Sequence, residues 1–438
     1  MKFAAAAKPA VIALLALALC VPVAMIQGLI AERQARRDEA LAGIAQGWGM
    51  RQTLAGPYLM VPYERTRIDV VQETIDGKPR ERRTERTDSL LVRLPADSVQ
   101  WRIGAEVSEK ARGIYKARLY SARAEARGRF SVPANFGVKD SSARIKWGTP
   151  RLVVGVTDPA GIRSVSPLLV GEAEHAFEAG SGDAAALPGG VHVPLPALGA
   201  AQPQSFAFGF SIEVAGSEAL AIAPLGSNSA VIMRSDWPHP SFAGRFLPLR
   251  HEIGAQGFSA EWKVSQYAAP GTSNRQELAV SFIEPAGLYQ RLERASKYGF
   301  LFIGLTFAAF LLFELLRRLA IHPIQYALVG LALAMFFLLL TALSEHIDFA
   351  LAYAIATFAC VGLVSGYLVR VLRSPSLGIA FGGALSALYA MLYALLKAED
   401  YSLLGGSLLL FGLLAVVMIA TRRVDWYGLN GARPAAAA

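Results

Sequence analysis

The sequence predicts a membrane protein of the α+β class. It should have an N-terminal transmembrane anchor helix, a large and mainly antiparallel β domain on the extracytoplasmic side, and a C-terminal bundle of five transmembrane helices. Three observations predict this: apolar runs gathered at the two ends, period-two alternation through the middle, and arginines recurring at alternate helix ends. With 438 residues, 53% of them hydrophobic and 18% charged, the chain has room for more than one domain and too much apolar surface for a wholly soluble protein. Its only cysteines, Cys20 and Cys360, lie inside apolar runs, so no disulfide framework holds the middle of the chain.

The anchor comes first. Pro9 to Ile30 carries no charge over 22 residues and follows Lys2 and Lys8. A signal peptide shares that basic start, but its apolar core is usually about 7 to 15 residues and ends at a small-x-small cleavage site. This run is long enough to span a ~30 Å hydrocarbon core, and it is read as an uncleaved anchor whose helix continues into IAERQARRDEALAGIAQGW. Five further runs follow Tyr298: Gly299 to Leu316, Ile324 to Leu343, Phe349 to Val369, Leu377 to Leu396 and Leu403 to Ala420. Each approaches the ~20 residues of a transmembrane helix.

Charge sets their direction. Arg317, Arg318, Arg370, Arg373, Arg422, Arg423 and Arg433 fall at one set of ends; Glu345, His346, Asp348, Lys397, Glu399 and Asp400 fall at the other. The positive-inside rule then puts both termini in the cytoplasm and residues 31–297 in the periplasm of a bacterium. The expected divisions are an anchor at 1–30, a β-rich domain at 31–297, a five-helix bundle at 298–421 and a cytoplasmic tail at 422–438, its GARPAAAA end disordered.

Within the domain, VQWRIGAEV, RGIYKARLY, RLVVGVTD, SFAFGFSIEV, AVIMRS and FSAEWKVSQY alternate with period two and are punctuated by Gly, Pro and Asp. They predict a sandwich. Asp76-Gly77 sits between extended segments as a hairpin turn, with KPRERRTER a solvated arm beside it. Residues 171–204, rich in Ala, Gly and Pro, are expected to form a loop or insertion. GLYQRLERASKYG should form a short helix leading into the second membrane segment.

The net charge of +9 does not make this a nucleic-acid binder. Residues 31–297 hold 33 Lys and Arg against 28 Asp and Glu, an excess of only 5, with no aromatic-basic motif. No G-x-S-x-G, phosphate-binding G-x-x-x-x-G-K-[ST] or H-E-x-x-H occurs, so no catalytic residue is assigned and a non-enzymatic protein is expected. None of the six histidines is paired at helical ligand spacing, so neither a metal nor a cofactor is expected. Glu314 is placed to pair with Arg317 and Arg318. Gly362-x-x-x-Gly366 and Gly378-x-x-x-Gly382 are spacings that let helix backbones approach.

One stretch concentrates candidate binding groups. RSDWPHPSFAGRFLP, residues 234–248, contains Asp236, Trp237, His239, Phe242 and Arg245. Pro238 and Pro240 hold Trp237 and His239 nearly extended, so the segment is expected to be a rigid corner, with Asp236 either capping the bend or pairing with Arg245. Glu345 and His346 are the polar candidates at the membrane interface.

Several stretches together resemble the CreD family of bacterial inner-membrane proteins, known as cell envelope integrity proteins. They are IQGLIAERQARRDEA, TLAGPYLMVPY, RGIYKARLYSA, RSDWPHPSFAGRFLP with FSAEWKVS, KYGFLFIGLTFAAFLLFELL, IHPIQYALVGLALAMFFLLLTALSEHIDFALAY, ACVGL and TRRVDWY. They run nearly end to end and in order; residues 64–88 and 171–204 match no family pattern. The resemblance implies a cytoplasmic-membrane protein with a periplasmic domain, linked to envelope-stress responses, including that to β-lactams, under two-component control. It carries over no catalytic residue. The expected partners are the lipid bilayer and an envelope component: a protein, peptidoglycan or a lipid. Two functions follow from different classes. One is a scaffold or sensor-effector that binds an envelope component through the β domain. The alternative is a membrane-embedded enzyme or transporter acting on such a component, with Asp236, His239, Arg245, Glu345 and His346 as its candidate groups.

Overall fold

The computed structural model describes residues 2–75, 78–140, 143–182, 189–224, 226–265, 267, 277–282, 287–317, 321–372, 374–397, 404, 406–408, 411–412, 415, 418–419 and 422. Two compact units result: a helical unit of residues 1–38 and 286–438, and a β unit of residues 39–285.

In the helical unit, α1 is one helix from Lys2 to Trp48, its last residues belonging to the β unit. Ile12, Leu19, Val23, Ile26 and Ile30 are buried at steps of three, four or seven along one face, while Leu14, Leu17, Val21 and Met25 on the other are exposed. That is the pattern of a helix packed on one side and facing lipid on the other. The short helix α2 (Leu288–Lys297) is amphipathic and is followed by α3 (Gly299–Arg317), α4 (Pro323–Ser344), α5 (Phe349–Val371) and α6 (Pro375–Lys397). Among the described residues, four helices are long and apolar enough to cross a membrane: α1 from Val11, α4, α5 and α6. The run expected at Leu403–Ala420 lies largely outside the described residues, as do Arg318, Arg373, Glu399, Asp400, Arg423 and Arg433.

Local chemistry sets the helix starts. His322 caps α4: its Nδ1 accepts from the Ile324 N–H at 3.3 Å while the Gln325 side chain accepts from the His322 N–H, with Pro323 at the first helical position. Asp348 caps α5 by accepting from the Ala350 N–H at 2.8 Å. The two glycine pairs behave differently. A Cβ on Gly378 would lie 2.8 Å from the Val369 backbone nitrogen, so this glycine is what lets α6 approach α5. Gly362 and Gly366 have nothing within 4 Å of a built Cβ.

Among the described residues the β unit holds eighteen strands. They are β1 (Gln52–Ile75), β2 (Lys78–Pro95), β3 (Ser98–Arg112), β4 (Tyr115–Val132), β5 (Arg144–Trp147), β6 (Arg151–Val156), β7 (Ile162–Val165), β8 (Leu168–Val170) and β9 (Ala173–His175). Then come β10 (Glu178–Ala179), β11 (Gly190–Pro194), β12 (Gln204–Ser217), β13 (Ala219–Ala223), β14 (Asn228–Ser235), β15 (Ser241–Gly244), β16 (Arg250–Gly254), β17 (Gly257–Ser265) and β18 (Leu278–Ser281).

Two nine-stranded sheets form. The first runs β10-β11-β6-β1-β13-β18-β15, with β2 and β5 also on β1; the second runs β16-β17-β14-β3-β4-β12-β8-β9, with β7 on β12. Only β1 with β13 and β3 with β14 pair in parallel among the described residues. One buried cluster joins Leu54, Val154 and Ile222 of the first sheet to Trp101, Phe210 and Trp262 of the second, so the expected sandwich is present.

The structure corrects two local expectations. RGIYKARLY is not one strand: β3 and β4 pair as far as Arg112 with Tyr115, leaving Gly113, at φ +63°, and Ile114 as a tight turn. Residues 171–204 are not simply a loop, because they supply β9, β10 and β11; β11 pairs with β6 along its whole length and buries Val191 and Val193 on either side of His192. Those two valines outweigh the surrounding Gly and Pro. Glu314 is buried and accepts from the Tyr326 hydroxyl at 2.8 Å and the Ile321 N–H at 3.4 Å; the Arg317 and Arg318 side chains lie outside the described residues. At the hairpin, β1 and β2 pair up to Ile75 with Lys78, and Asp76 and Gly77 themselves lie outside the described residues.

The glycine contrast is testable. Gly378→Leu should lower the melting temperature of the detergent-purified protein by roughly 3 to 10 °C, from an overpacking cost of about 1–3 kcal/mol. Gly362→Leu should leave it unchanged, as read by light-scattering or fluorescence melts.

Candidate functional site

Residues 234–248 form the place where the chain changes sheets. β14 lies in the second sheet, β15 pairs with β18 in the first, and β16 returns to the second on β17. The Trp237 indole N–H donates to the His239 carbonyl at 2.9 Å, closing the Pro238 bend, and the Trp237 backbone N–H donates to the Ser235 hydroxyl. Arg118 lays its guanidinium 4.7 Å from the Trp237 ring centre. Phe242 turns inward against Phe258 and Trp262, each 5.9 Å away, and the Trp262 indole N–H donates to the Phe246 carbonyl. Gly244, at φ +90°, leaves no room for a side chain: a Cβ would meet the Glu277 carbonyl oxygen at 2.3 Å.

The five candidates from this stretch do not converge. Asp236 neither caps its own bend through the following residues nor pairs with Arg245; its carboxylate accepts from the Val107 N–H at 2.9 Å and from the Ser235 hydroxyl at 3.3 Å, because the parallel pairing of β14 with β3 brings Val107 alongside. His239 is exposed with its ring against Trp237. Arg245 is exposed and is held by its backbone N–H to the Glu277 carbonyl. Among the described residues no hydrogen bond or ion pair joins Asp236, His239 and Arg245.

Asp236 instead belongs to a cleft on the outer face of the second sheet. In β3 the odd positions Val99, Trp101, Ile103 and Ala105 are buried and the even ones exposed, so Arg102, Gly104 and Glu106 point outward. Pairing then assembles a row: Arg234 beside Gly104 on one strand, Arg123 opposite it on another, and Glu213 beyond Arg123. Glycine at the centre of that row leaves a cleft of about 530 Å³ among Arg102, Arg123, Glu125, Ile232 and Arg234. It adjoins a second of about 580 Å³ that also takes in Glu106, Ser121 and Asp236.

The cations around the cleft are not equivalent. The Arg123 Nε donates to Glu213 at 2.9 Å, and the Ser164 hydroxyl donates to the other oxygen of the same carboxylate at 2.9 Å. These bonds, Arg123's first, hold the Glu213 carboxyl below the ordinary carboxylate range. A depressed pKa means the pair is intact above that range and is lost only as pH falls through the lowered value, so at neutral pH Arg123 is fixed in place and partly neutralised. Arg102 and Arg234 make no ion pair among the described residues and are exposed to solvent. No short motif marks this cluster, because the β3–β4 hairpin and the distant strand β14 assemble it together. Its one trace in the sequence is a glycine interrupting an alternating strand, WRIGAEV.

At the helical unit's polar edge, Glu345 is the C-cap of α4. Its carboxylate accepts from the Tyr289 hydroxyl of α2 at 3.1 Å and lies 3.8 Å from the Arg33 guanidinium of α1. Arg291 of α2 stacks 5.0 Å from the Phe349 ring. Glu345 therefore clamps three helices together. The exposed His346 shares none of these contacts.

The sequence model of a family described as inner membrane protein CreD matches residues 4–427. The inner membrane protein CreD of Escherichia coli (strain K12) is 34% identical over 429 residues, covering 94% of this chain and 92% of that protein. Among solved structures, a mutant M1 zinc metallopeptidase from Deinococcus radiodurans with a Tyr-Ser-Ala substrate is 9% identical and covers 68% of this chain and 86% of its own, at a TM-score of 0.20, too low to support a shared fold. By sequence along almost its whole length, the chain belongs to the CreD family of inner membrane proteins.

Proposed function

We propose that this chain is a non-enzymatic scaffold or sensor-effector of the bacterial inner membrane, active in the envelope-stress or β-lactam response, which binds an envelope component through the outer face of its β unit. The observation that carries this reading is the cleft around Gly104, where Arg102 and Arg234 face solvent with no ion-pair partner among the described residues. Charge grouped in this way is the kind that steers and orients a ligand of the opposite sign. The alternation of arginine-rich and acidic helix ends supports a topology with both termini in the cytoplasm and residues 31–297 in the periplasm.

Three expected outcomes test this reading. A reporter fused near Ala200 should be active outside the cytoplasmic membrane, and cytoplasmic activity there would overturn the topology. The double substitution Arg102→Glu with Arg234→Glu should abolish protection against a β-lactam by at least tenfold in plating efficiency, while membrane abundance and protease resistance stay at wild-type levels; full protection would reject the cleft as the binding face. His239→Ala and His346→Ala should each leave protection intact. Loss of protection in either at normal abundance would favour the enzyme or transporter reading.

A further inference from the structure

The ligand class of this face follows from the neighbourhood of Gly104, and the inference rests on the periplasmic, envelope-binding reading above. Glycine in the interior of a strand is destabilising relative to alanine and often marks a bulge, a bend or a close approach. Three glycines of the second sheet show what ordinary reasons look like. Gly128 sits where a Cβ would strike the Ser98 carbonyl oxygen and the Phe208 ring, Gly257 has φ +127° and meets the Ser235 carbonyl, and Gly113 has φ +63° in a turn. Gly104 has none of these: its φ is not left-handed and a built Cβ meets nothing within 4 Å. What it supplies is empty space, bounded by three arginines at neighbouring positions of the sheet, Arg102 along its own strand and Arg123 and Arg234 on the strands to either side, which outnumber the one carboxylate in the same lining, Glu125 opposite Arg102.

We propose that the space over Gly104 is a binding site for a free carboxylate of a polar, zwitterionic peptide, of the kind carried by the stem peptides of the cell wall. Arginine forks match the two oxygens of a carboxylate. Arg123, held by Glu213, is the positioned donor, and Arg102 and Arg234 are the two that close on the anion. The other end of the cleft has the opposite sign. Glu106 lies two residues along β3 from Gly104, about 6.6 Å away along the strand, and Asp236 lies beside it. An ammonium group of the same ligand fits there. The lining excludes a lipid headgroup as the occupant, because an acyl-bearing molecule needs an apolar trough beside its phosphate, and around this cleft the outward apolar contact is Ile232 among arginines, glutamates and a serine.

The test uses the full-length protein in nanodiscs, with the soluble tripeptide Ala-γ-Glu-diaminopimelate as probe and calorimetry as readout. Wild type should bind. Gly104→Leu, whose Cβ meets nothing within 4 Å and whose branch enters the space, and the double variant Arg102→Ala with Arg234→Ala should each weaken binding at least tenfold with unchanged melting temperature. Glu106→Gln should weaken the tripeptide several-fold but leave its doubly N-acetylated form, which has lost both ammonium groups, unaffected. Equal binding of a tripeptide with all carboxylates amidated, or unchanged affinity in Gly104→Leu and the double variant, overturns the proposal. Binding of wild type to anionic phospholipid vesicles that the double variant loses, without tripeptide binding, overturns the peptide class in favour of lipid. Failure to bind the tripeptide while Arg102→Glu with Arg234→Glu still removes β-lactam protection in cells also rejects the peptide and leaves the envelope-binding reading standing; if protection survives as well, both fall.

Discussion

The β unit depends on one constraint: two nine-stranded sheets share a single dry interior. Along β3 every second side chain enters that interior, from Val99 through Trp101 and Ile103 to Ala105. The intervening residues have no choice of side. A one-residue slip of β3 against β4 would bury Arg102 and Glu106 and expose Trp101, at a cost of several kcal/mol for the charges alone. The arginines of the outer cleft are thus placed by the apolar residues between them. Burial of Trp101 and Ile103 fixes where Arg102 and the gap at Gly104 must face, so the outer cleft is placed by the core without contributing to it.

Much of this was legible in the chain. The apolar runs announced α1 and α3 to α6, and the alternation in VQWRIGAEV, SFAFGFSIEV, AVIMRS and FSAEWKVS marked β3, β12, β14 and β17. β1 and β2 pair as far as Ile75 with Lys78, on either side of the expected Asp76-Gly77 turn. What was not legible is which strands pair. Two parallel pairings, β1 with β13 and β3 with β14, bring together segments separated by more than a hundred residues, and no local pattern encodes that. The cleft rests on one of these, β3 with β14, so Arg102 and Arg123 on one hairpin share no sequence pattern with Arg234. The stretch RSDWPHPSFAGRFLP forms the corner between the two sheets. Its partners were misjudged, because Asp236 finds the Val107 N–H on a strand that sequence spacing could not bring near it.

Polar groups in the helical unit show the same division between local and non-local causes. His322 and Asp348, conspicuous as ionisable residues beside membrane helices, are used as helix caps, a role visible from the Pro323 and Ala350 that follow them. Glu345 is different. Its contacts with Tyr289 and Arg33 come from opposite ends of the chain, and they fasten α2 to α1 and α4 with a carboxylate that a purely local reading would leave to solvent. Arg291 over Phe349 reinforces the same corner.

The passage from β14 to β15 and back to β16 has a mechanical consequence. Within a short length the chain crosses from one sheet to the other and returns, so it acts as a stitch through both layers at one edge. Sliding of the layers past each other would have to break the β15 ladder on β18, lift the Trp237 ring from beneath Arg118 and pull Phe242 out from between Phe258 and Trp262 in a single event. Shear applied along the strands is shared by many bonds at once instead of peeling them one by one. A β unit laminated in this way can transmit a pull on its outer face without deforming.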